Sequence, residues 1–443
     1  MRIKIKEKNL FRRLIKKNFD YDIKNINSFC LDSRFLKKDD IFLPIKGKNF
    51  DPHKILPDIL KKEPSLVFSE KKIDNKKVVF IKSSKEILLR LAKDWMSFFK
   101  MPIIAITGSN GKTTTKEMLV KIFKSKYKIN YSKGNYNSLI GLPVNTFEFT
   151  TNADYTIVEM GASKPGEIDK LCKIIRPDFS IITNIHQAHI GNFNSFNDLV
   201  KTKTAIYRNT SSDGFIFVNH DDLNILKSSL TFKNTVSFSF EKKKTDFCST
   251  YKSIKNKIEF LINGQKIYNK NLNEIMAKNI LASYAIASSR GISHNKILDC
   301  IQKFDFLKGR GQLIKKNGYL IVDDTYNANF ESFKAGINSF MNLSHKGRKI
   351  LVIGDMKELG DKAKDCHISL GNYINDKSPD IVYTFGDLVS YATKQIFNKK
   401  ITIKHFNQFS KMIDKIKSTL IKGDAIYFKA SRSLEFEKII NTL

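Results

Sequence analysis

Residues 101–119 read MPIIAITGSNGKTTTKEML. Ile103, Ile104 and Ile106 make a short apolar run that ends at Thr107-Gly108, as a buried strand does. SNGKTTT follows, and then Met118, Leu119, Ile122 and Phe123 recur at helical spacing. Strand, glycine turn and helix is the context of a phosphate-binding loop. Successive backbone N–H groups and the helix N-terminus converge there on one concavity that favours an anion. Thr107, Gly108, Ser109, Asn110, Gly111, Lys112, Thr113 and Thr114 are therefore the candidate nucleotide-binding residues. Lys112 is expected against the terminal phosphates, and the Thr113 hydroxyl on Mg²⁺. The common GxxxxGK[ST] spacing puts its first glycine at position 106, where this chain has Ile106; its glycines are at 108 and 111.

From about 100 to 307, strands alternate with helices. DYTIVEMG reads as a strand ending in Glu159. PGEIDKLCKII reads as a helix with Ile168, Leu171, Cys172 and Ile175 on one face. DFSIITNI is the next strand and delivers Asn184, His186 and His189 into a loop. SFNDLVKTKTAIY is a helix, and FIFVNHDD a strand with an acidic end. This alternation predicts a mostly parallel sheet with ligands at the C-terminal strand ends, where the phosphate loop, Glu159 and His189 all fall. Thr113 with Glu159 makes an ordinary magnesium site of hard oxygens, and an imidazole from His189 completes a second one. From about 231 to 271 the runs VSFSF, KIEFLI and KIYNK predict a small antiparallel sheet. Asn279 begins or lies within the helix NILASYAIASS.

Before the loop, Asp32, Ser33 and Arg34 lie in a turn, IFLPI reads as a strand, and residues 47–53 as a polar loop. SLVFSE and KVVFIK are two more strands, and the helix LLRLAKDWMSFF holds Trp95 as a core residue. After about 308, GRGQL and GYLIVDDTYNANFESFKAGI open a further α/β unit with strands in KILVIGD, DIVYTFGD, TIKHF and DAIYFKAS. The expected fold is α/β in three domains. Residues 1–88 form an N-terminal α/β domain, 89–307 a central P-loop ATPase-like domain, and 308–443 a C-terminal Rossmann-like domain.

Size and composition narrow the classes. A chain of 443 residues, 41% hydrophobic, is large enough for several cores. Nothing approaches the roughly 18 unbroken apolar residues of a membrane span. The basic N-terminus lacks an apolar signal region. The cysteines at 30, 172, 248, 300 and 366 include no CxxC, which suits a reducing cytoplasm. The net charge of +33 raises a nucleic-acid-dependent ATPase as a reading. The lysines, however, are spread through every segment, and the loop lacks the spacing such an enzyme wants, so no nucleic acid is expected. The expected state is a monomer.

With these motifs in place, the chain resembles the Mur ligases, ATP-dependent enzymes that form amide bonds in peptidoglycan precursors. The resemblance rests on TGSNGKTTTKEM, GNYNSLIGLP, VEMGASKPGEI, TNIHQAHIGNFNS, DDTYNANFESF, VIGDMKELG and KASRSLEFE, with DSR, DDIFLPIKG and DPHKI ahead of them. It covers essentially all of residues 30–440 in the family's order. It implies that Lys112 and Thr113 bind ATP phosphates and Mg²⁺, and that Glu159 and His189 bind Mg²⁺. Lys203 matches a lysine that the family carbamylates into an anionic metal-site ligand; without the motif it reads as one more surface lysine. Asn279 is implied at the adenine, Arg310 at the ATP phosphates and Asp324 at the ribose, with Tyr326, Asn327 and Asn329 lining the same cleft. Ser33 and Arg34 are implied at the uridine diphosphate, Asn135 and Asn137 between nucleotide sugar and ATP, and Gly47, Ser431 and Arg432 at substrate. Residues 1–88 are then the UDP-substrate domain. The chain departs from the family's pattern at Phe330, where proline is usual, at Ile275-Met276, where His-Asn is usual, and at Pro52, where glycine is usual.

The implied reaction joins D-alanyl-D-alanine to UDP-N-acetylmuramoyl-tripeptide through an acyl phosphate, with ATP as the bridge that drives domain closure. The related folylpolyglutamate synthetase is disfavoured by the DSR-type N-terminal segment. The Mur ligase that forms the tripeptide is disfavoured by DDTYNAN and VIGDMKELG.

Overall fold

The structure is a computed structural model of the chain. It describes all residues except 48, 188–189, 241–243, 255–256, 270–271 and 306, with the backbone alone at 253–254 and 257–258. Three sheets follow one another along the sequence.

The first sheet is β1 (Arg2–Lys4), β2 (Ser28–Cys30), β3 (Ile41–Phe42), β4 (Leu66–Ser69) and β5 (Val78–Phe80), in that spatial order. Only β1 runs antiparallel to its neighbour. The helix Lys8–Phe19 covers it by burying Phe11, Leu14 and Ile15, a helical stripe. Of the expected strand IFLPI, only Ile41–Phe42 pairs; Pro44 cannot donate to a ladder. The helix Ser84–Met96 buries Trp95, whose indole N–H donates to the Thr146 carbonyl at 2.7 Å. Phe11 and Phe147 both pack on this ring, so one aromatic cluster joins the first sheet's helix to the next unit.

The middle sheet has β6 (Ile103–Thr107), β7 (Ile129–Tyr131), β8 (Tyr155–Glu159), β9 (Phe179–Ile182), β10 (Phe215–Asn219), β11 (Thr235–Ser239), β12 (Phe247–Ile254), β13 (Lys257–Ile262) and β14 (Gln265–Lys266). Its order is β14-β13-β12-β11-β10-β9-β6-β8-β7. All five residues of β6 are buried, which is why its sequence is a continuous apolar run. After β6 the chain builds β7 and β8 on one side, and β9 onward on the other. The order reverses at β6, and that reversal opens a crevice at its carboxyl end, where α/β proteins bind ligands.

The expected small antiparallel sheet is corrected here. VSFSF is β11, and it pairs parallel to β10. Only the β12–β13 and β13–β14 pairs are antiparallel; β12 pairs parallel to β11, so these strands extend the middle sheet instead of forming another. Of the described residues of KIYNK, only Lys266 lies in a strand, and Lys270 lies outside the described residues.

The third sheet has β15 (Gln312–Lys316), β16 (Tyr319–Asp323), β17 (Lys349–Gly354), β18 (Ile381–Phe385), β19 (Thr402–Phe406) and β20 (Ala425–Lys429), ordered β15-β16-β20-β17-β18-β19. It is parallel apart from the β15–β16 hairpin.

Among the described residues, the middle and third units are joined by protein atoms alone, with side-chain or backbone hydrogen bonds at two of the places where they meet. Asn329 Nδ2 donates to Asn110 Oδ1 at 2.8 Å, with a longer return bond of 3.4 Å. Gly191 N–H donates to the Glu358 carbonyl at 3.2 Å. A Cβ on Gly191 would stand 2.4 Å from Gly360 N, so the two backbones touch. Among the described residues, no helix is long and apolar enough to cross a membrane.

Candidate active site

The loop after β6 needs both of its glycines. Gly108 has φ +144° and Gly111 φ +83°, conformations that side chains resist. A Cβ on Gly108 would lie 2.0 Å from Thr183 Oγ1, and one on Gly111 2.4 Å from Asn279 Oδ1. The helix Lys112–Lys124 starts directly after Gly111 and has no side-chain cap, so its first N–H groups face the crevice. The end of β9 holds the loop from behind. Ser109 N–H donates to the Asn184 carbonyl, and Asn110 N–H to Asn184 Oδ1. The Thr183 hydroxyl and the Asn184 amide both donate to the Asn110 carbonyl.

Two ammonium groups meet at one carbonyl of this loop. Lys112 Nζ donates to Gly108 O at 2.8 Å, and Lys203 Nζ to the same oxygen at 3.1 Å. Lys203 sits on the helix Phe196–Arg208 and is only 2% exposed. It is therefore not the solvated lysine that its Lys-rich surroundings suggest. Burial pulls its pKa down to about 7, with the charge of Lys112 adding to the effect. Burial lowers Lys112 as well; Glu159 opposes this, and Arg310 reinforces it. Glu159 closes the other side, at the end of β8. It accepts the Thr113 hydroxyl at 2.7 Å on Oε2 and Asn137 Nδ2 at 2.6 Å on Oε1. Among the described residues no cluster of three His, Cys, Asp or Glu side chains could hold a metal. A Thr–Glu pair with phosphate and water oxygens suits Mg²⁺, which takes few protein ligands. His189 lies outside the described residues.

Asn279, on the helix Glu274–Ser289, accepts the Thr115 hydroxyl and donates to the Ile275 carbonyl. It also lines a cavity of about 410 Å³ with Thr183, His186, Asp222 and Phe240. From the third unit, Asn329 reaches the loop through Asn110 and caps the helix Phe330–Met341 with a capping box. That cap supports the helix start where Phe330 stands at its first position. The Arg310 guanidinium stacks over the Tyr326 ring at 3.7 Å. Asp324 accepts Lys429 Nζ at 2.7 Å and the Tyr427 hydroxyl at 2.8 Å, both on Oδ2. Lys429 also donates to the Asn327 carbonyl.

Other expected residues bond within their own neighbourhoods. Arg34 pairs with Asp32 at 2.7 Å and holds that carboxyl at about 2; the Ser33 carbonyl accepts Lys62, and Gly47 N–H bonds the Phe50 carbonyl. The turn that the residues alone suggest is thus closed by a salt bridge. Ser431 is buried and accepts Lys357 N–H, while Arg432 pairs with Glu437. Asn135 lines a second cavity of about 550 Å³, with Lys133, Tyr136 and Glu148 facing Arg2 and Lys4 of β1. Sequence reasoning missed Lys116, Ser132, Tyr427 and Lys429. Lys116 stands four residues after Lys112, on the same helical face, and that spacing was the available signal.

A glycine loop at a sheet reversal, backed by a threonine–carboxylate pair and met by a second α/β unit, defines a nucleotide-dependent enzyme. The Mur ligase middle domain model matches residues 106–287, and the Mur ligase glutamate ligase domain model residues 309–432. The chain belongs to the Mur ligase family. It is 31% identical to the UDP-N-acetylmuramoyl-tripeptide–D-alanyl-D-alanine ligase of Buchnera aphidicola subsp. Acyrthosiphon pisum, over 94% of this chain and 93% of the relative. It is 30% identical to the ligase of the same name from Borreliella burgdorferi, over 100% and 99%. The crystal structure of MurF from Acinetobacter baumannii superposes with TM-score 0.88 at 26% identity, covering 98% of each chain. The MurF ligase of Thermotoga maritima in complex with ADP superposes with TM-score 0.82 at 28% identity, covering 93% of this chain and 96% of that one.

Proposed function

We infer that this ATP-dependent ligase joins D-alanyl-D-alanine to UDP-N-acetylmuramoyl-tripeptide. The observation that carries the reading is the phosphate loop, with Lys112 and the Thr113–Glu159 pair on one side and Asn329 of the third unit on the other. The tripeptide carboxylate attacks the γ-phosphorus of ATP; a P–O bond to ADP breaks and an acyl phosphate forms. The amine of D-alanyl-D-alanine then attacks the acyl carbon, phosphate leaves, and the amine gives up a proton. Two anions must meet in the first step. The loop N–H groups and Lys112 bind the phosphates and offset that repulsion, and Arg310 adds a second cation. Thr113 and Glu159 hold Mg²⁺ when it is bound, which supplies further charge neutralisation. Asn279 serves the nucleotide beside the 410 Å³ cavity, and Asp324 keeps Oδ1 for a ribose hydroxyl. Ser33, Arg34, Gly47, Asn135 and Asn137 serve the UDP-linked substrate, and Ser431 and Arg432 the dipeptide.

Lys203 is assigned as a carbamate. Its amine and that of Lys112 converge on Gly108 O, and two cations side by side repel. The Lys203 ammonium first gives up a proton; the neutral amine then adds to CO₂, forming an N–C bond and releasing a second proton, so that a cation becomes an anion that suits both Lys112 and Mg²⁺. The division into 1–88, 89–307 and 308–443 is supported by the three separate sheets.

The test is phosphate release with UDP-N-acetylmuramoyl peptides of different length, with and without D-alanyl-D-alanine. Release that requires both the tripeptide form and the dipeptide is expected. Release driven by a shorter peptide and a single amino acid would replace this reading with the tripeptide-forming one.

A further inference from the structure

Lys116 lies one turn beyond Thr113 in the helix Lys112–Lys124, and its side chain is fully buried. A buried ammonium persists only where acceptors surround it. Lys116 Nζ donates to the Ser132 carbonyl at 2.7 Å and the Gly134 carbonyl at 3.2 Å, and pairs with the Glu117 carboxylate. Ser132 in turn accepts the Glu159 N–H on its hydroxyl at 2.9 Å. Glu159 accepts Asn137 on one oxygen and Thr113 on the other. A ring of contacts therefore leaves the helix at Lys116, crosses residues 132–137 and Glu159, and returns at Thr113. The same loop carries Lys133, Asn135 and Tyr136 to the 550 Å³ cavity facing β1.

We propose that Lys116 is a positioning residue that sets the 132–137 loop against the phosphate-binding helix, and so sets the site of the UDP-linked substrate relative to ATP. This rests on the assignment of that loop to the UDP-linked substrate. Lys116 Nζ bonds to the backbone of the 132–137 loop and to Glu117, whereas Lys112 Nζ bonds to the phosphate loop itself. Its removal therefore moves the second substrate's site before it moves the first. A lysine that served only to fill the core would, when lost, lower the folded fraction and leave both KM values alone.

The experiment uses the full chain with Lys116→Met, which keeps volume and removes the donors. Amide exchange at 133–137 should speed up about tenfold while 118–123 stays unchanged. KM for the UDP-linked substrate should rise about tenfold, with KM for ATP within about twofold. Unchanged exchange at 133–137 overturns the proposal, as does a parallel rise in both KM values. Faster exchange with an unchanged KM for the UDP-linked substrate overturns the substrate part and, with it, the assignment of this loop. If Lys116→Met does not fold, Lys116→Gln, which keeps one amide donor on a shorter arm, is measured by the same two readouts.

Discussion

Lys203 puts stability and activity in opposition. Its pKa of about 7 lies below the ordinary lysine range, so the unfolded chain holds the proton more tightly. Folding stability therefore falls as pH drops from that range toward 7. Lys203→Met should raise the apparent Tm at neutral pH by about 2–5 °C and abolish ligation, read by calorimetry and phosphate release. Full activity in that variant would remove the carbamate assignment. His367 gives a pH effect with the same sign. Its Nε2 accepts the Met356 N–H at 3.0 Å and its Nδ1–H points at the Ala363 carbonyl, so both nitrogens are committed as the neutral ring. Burial lowers its pKa; the stability it contributes is complete above about pH 6.5 and is lost as pH falls below that. The apparent Tm of the wild type should drop more between about pH 7 and 5 than that of His367→Gln. At this scale the sequence was legible where a residue's role is set by its neighbours in the chain, as for Lys112 and Thr113. It was illegible for Lys429, and the spacing that sets Lys116 below Lys112 did not mark it as buried, because among 77 basic residues nothing local says which ammonium is buried.

The phosphate loop was readable as an element because strand, turn and helix are contiguous, and each step has a local signature. Its two positive-φ glycines turn that legibility into a test. Gly108→Ala must both strain φ and displace Thr183, whose backbone N also lies 3.1 Å from the added carbon. A cost of about 1–3 kcal/mol is expected, read as weaker ADP binding by calorimetry, with the middle sheet still folded. Retention of wild-type ADP affinity would show that the loop does not cradle the nucleotide. Strands 235–266 were less readable for the opposite reason. VSFSF alternates as a surface strand does, yet it lies between β10 and β12, and whether it pairs parallel to them is decided by crossovers that local pattern does not encode. Register along β12 to β14 then follows from hairpin pairing, which the alternation did suggest.

In the whole molecule, the seam between the middle and third units has a protein component independent of ATP. Sequence alone placed ATP as the bridge, since Asn110 and Asn329 are 219 residues apart and nothing in the chain announces their pairing. Gly191 tests the seam most cleanly, because its φ is not among the left-handed ones and the atoms nearest an added Cβ are the backbone of Leu359 and Gly360 across the seam. Gly191→Ala should enlarge the radius of gyration in small-angle scattering and lower kcat about tenfold or more, with ADP affinity changed less. An unchanged scattering profile with normal turnover would mean that the seam does not govern closure. The Asn110–Asn329 pair has a further consequence, in chemical ageing. Asn110 precedes Gly111, and an Asn-Gly step deamidates readily, because the glycine nitrogen can attack the side-chain carbonyl carbon. The reciprocal amide bonds hold that carbon in place, and Asn184 holds the Asn110 backbone from the other side. A molecule whose units stay together keeps its asparagine. Asn329→Ala should accumulate aspartate and isoaspartate at position 110 on storage, and each such conversion puts a carboxylate in the loop that must receive phosphate.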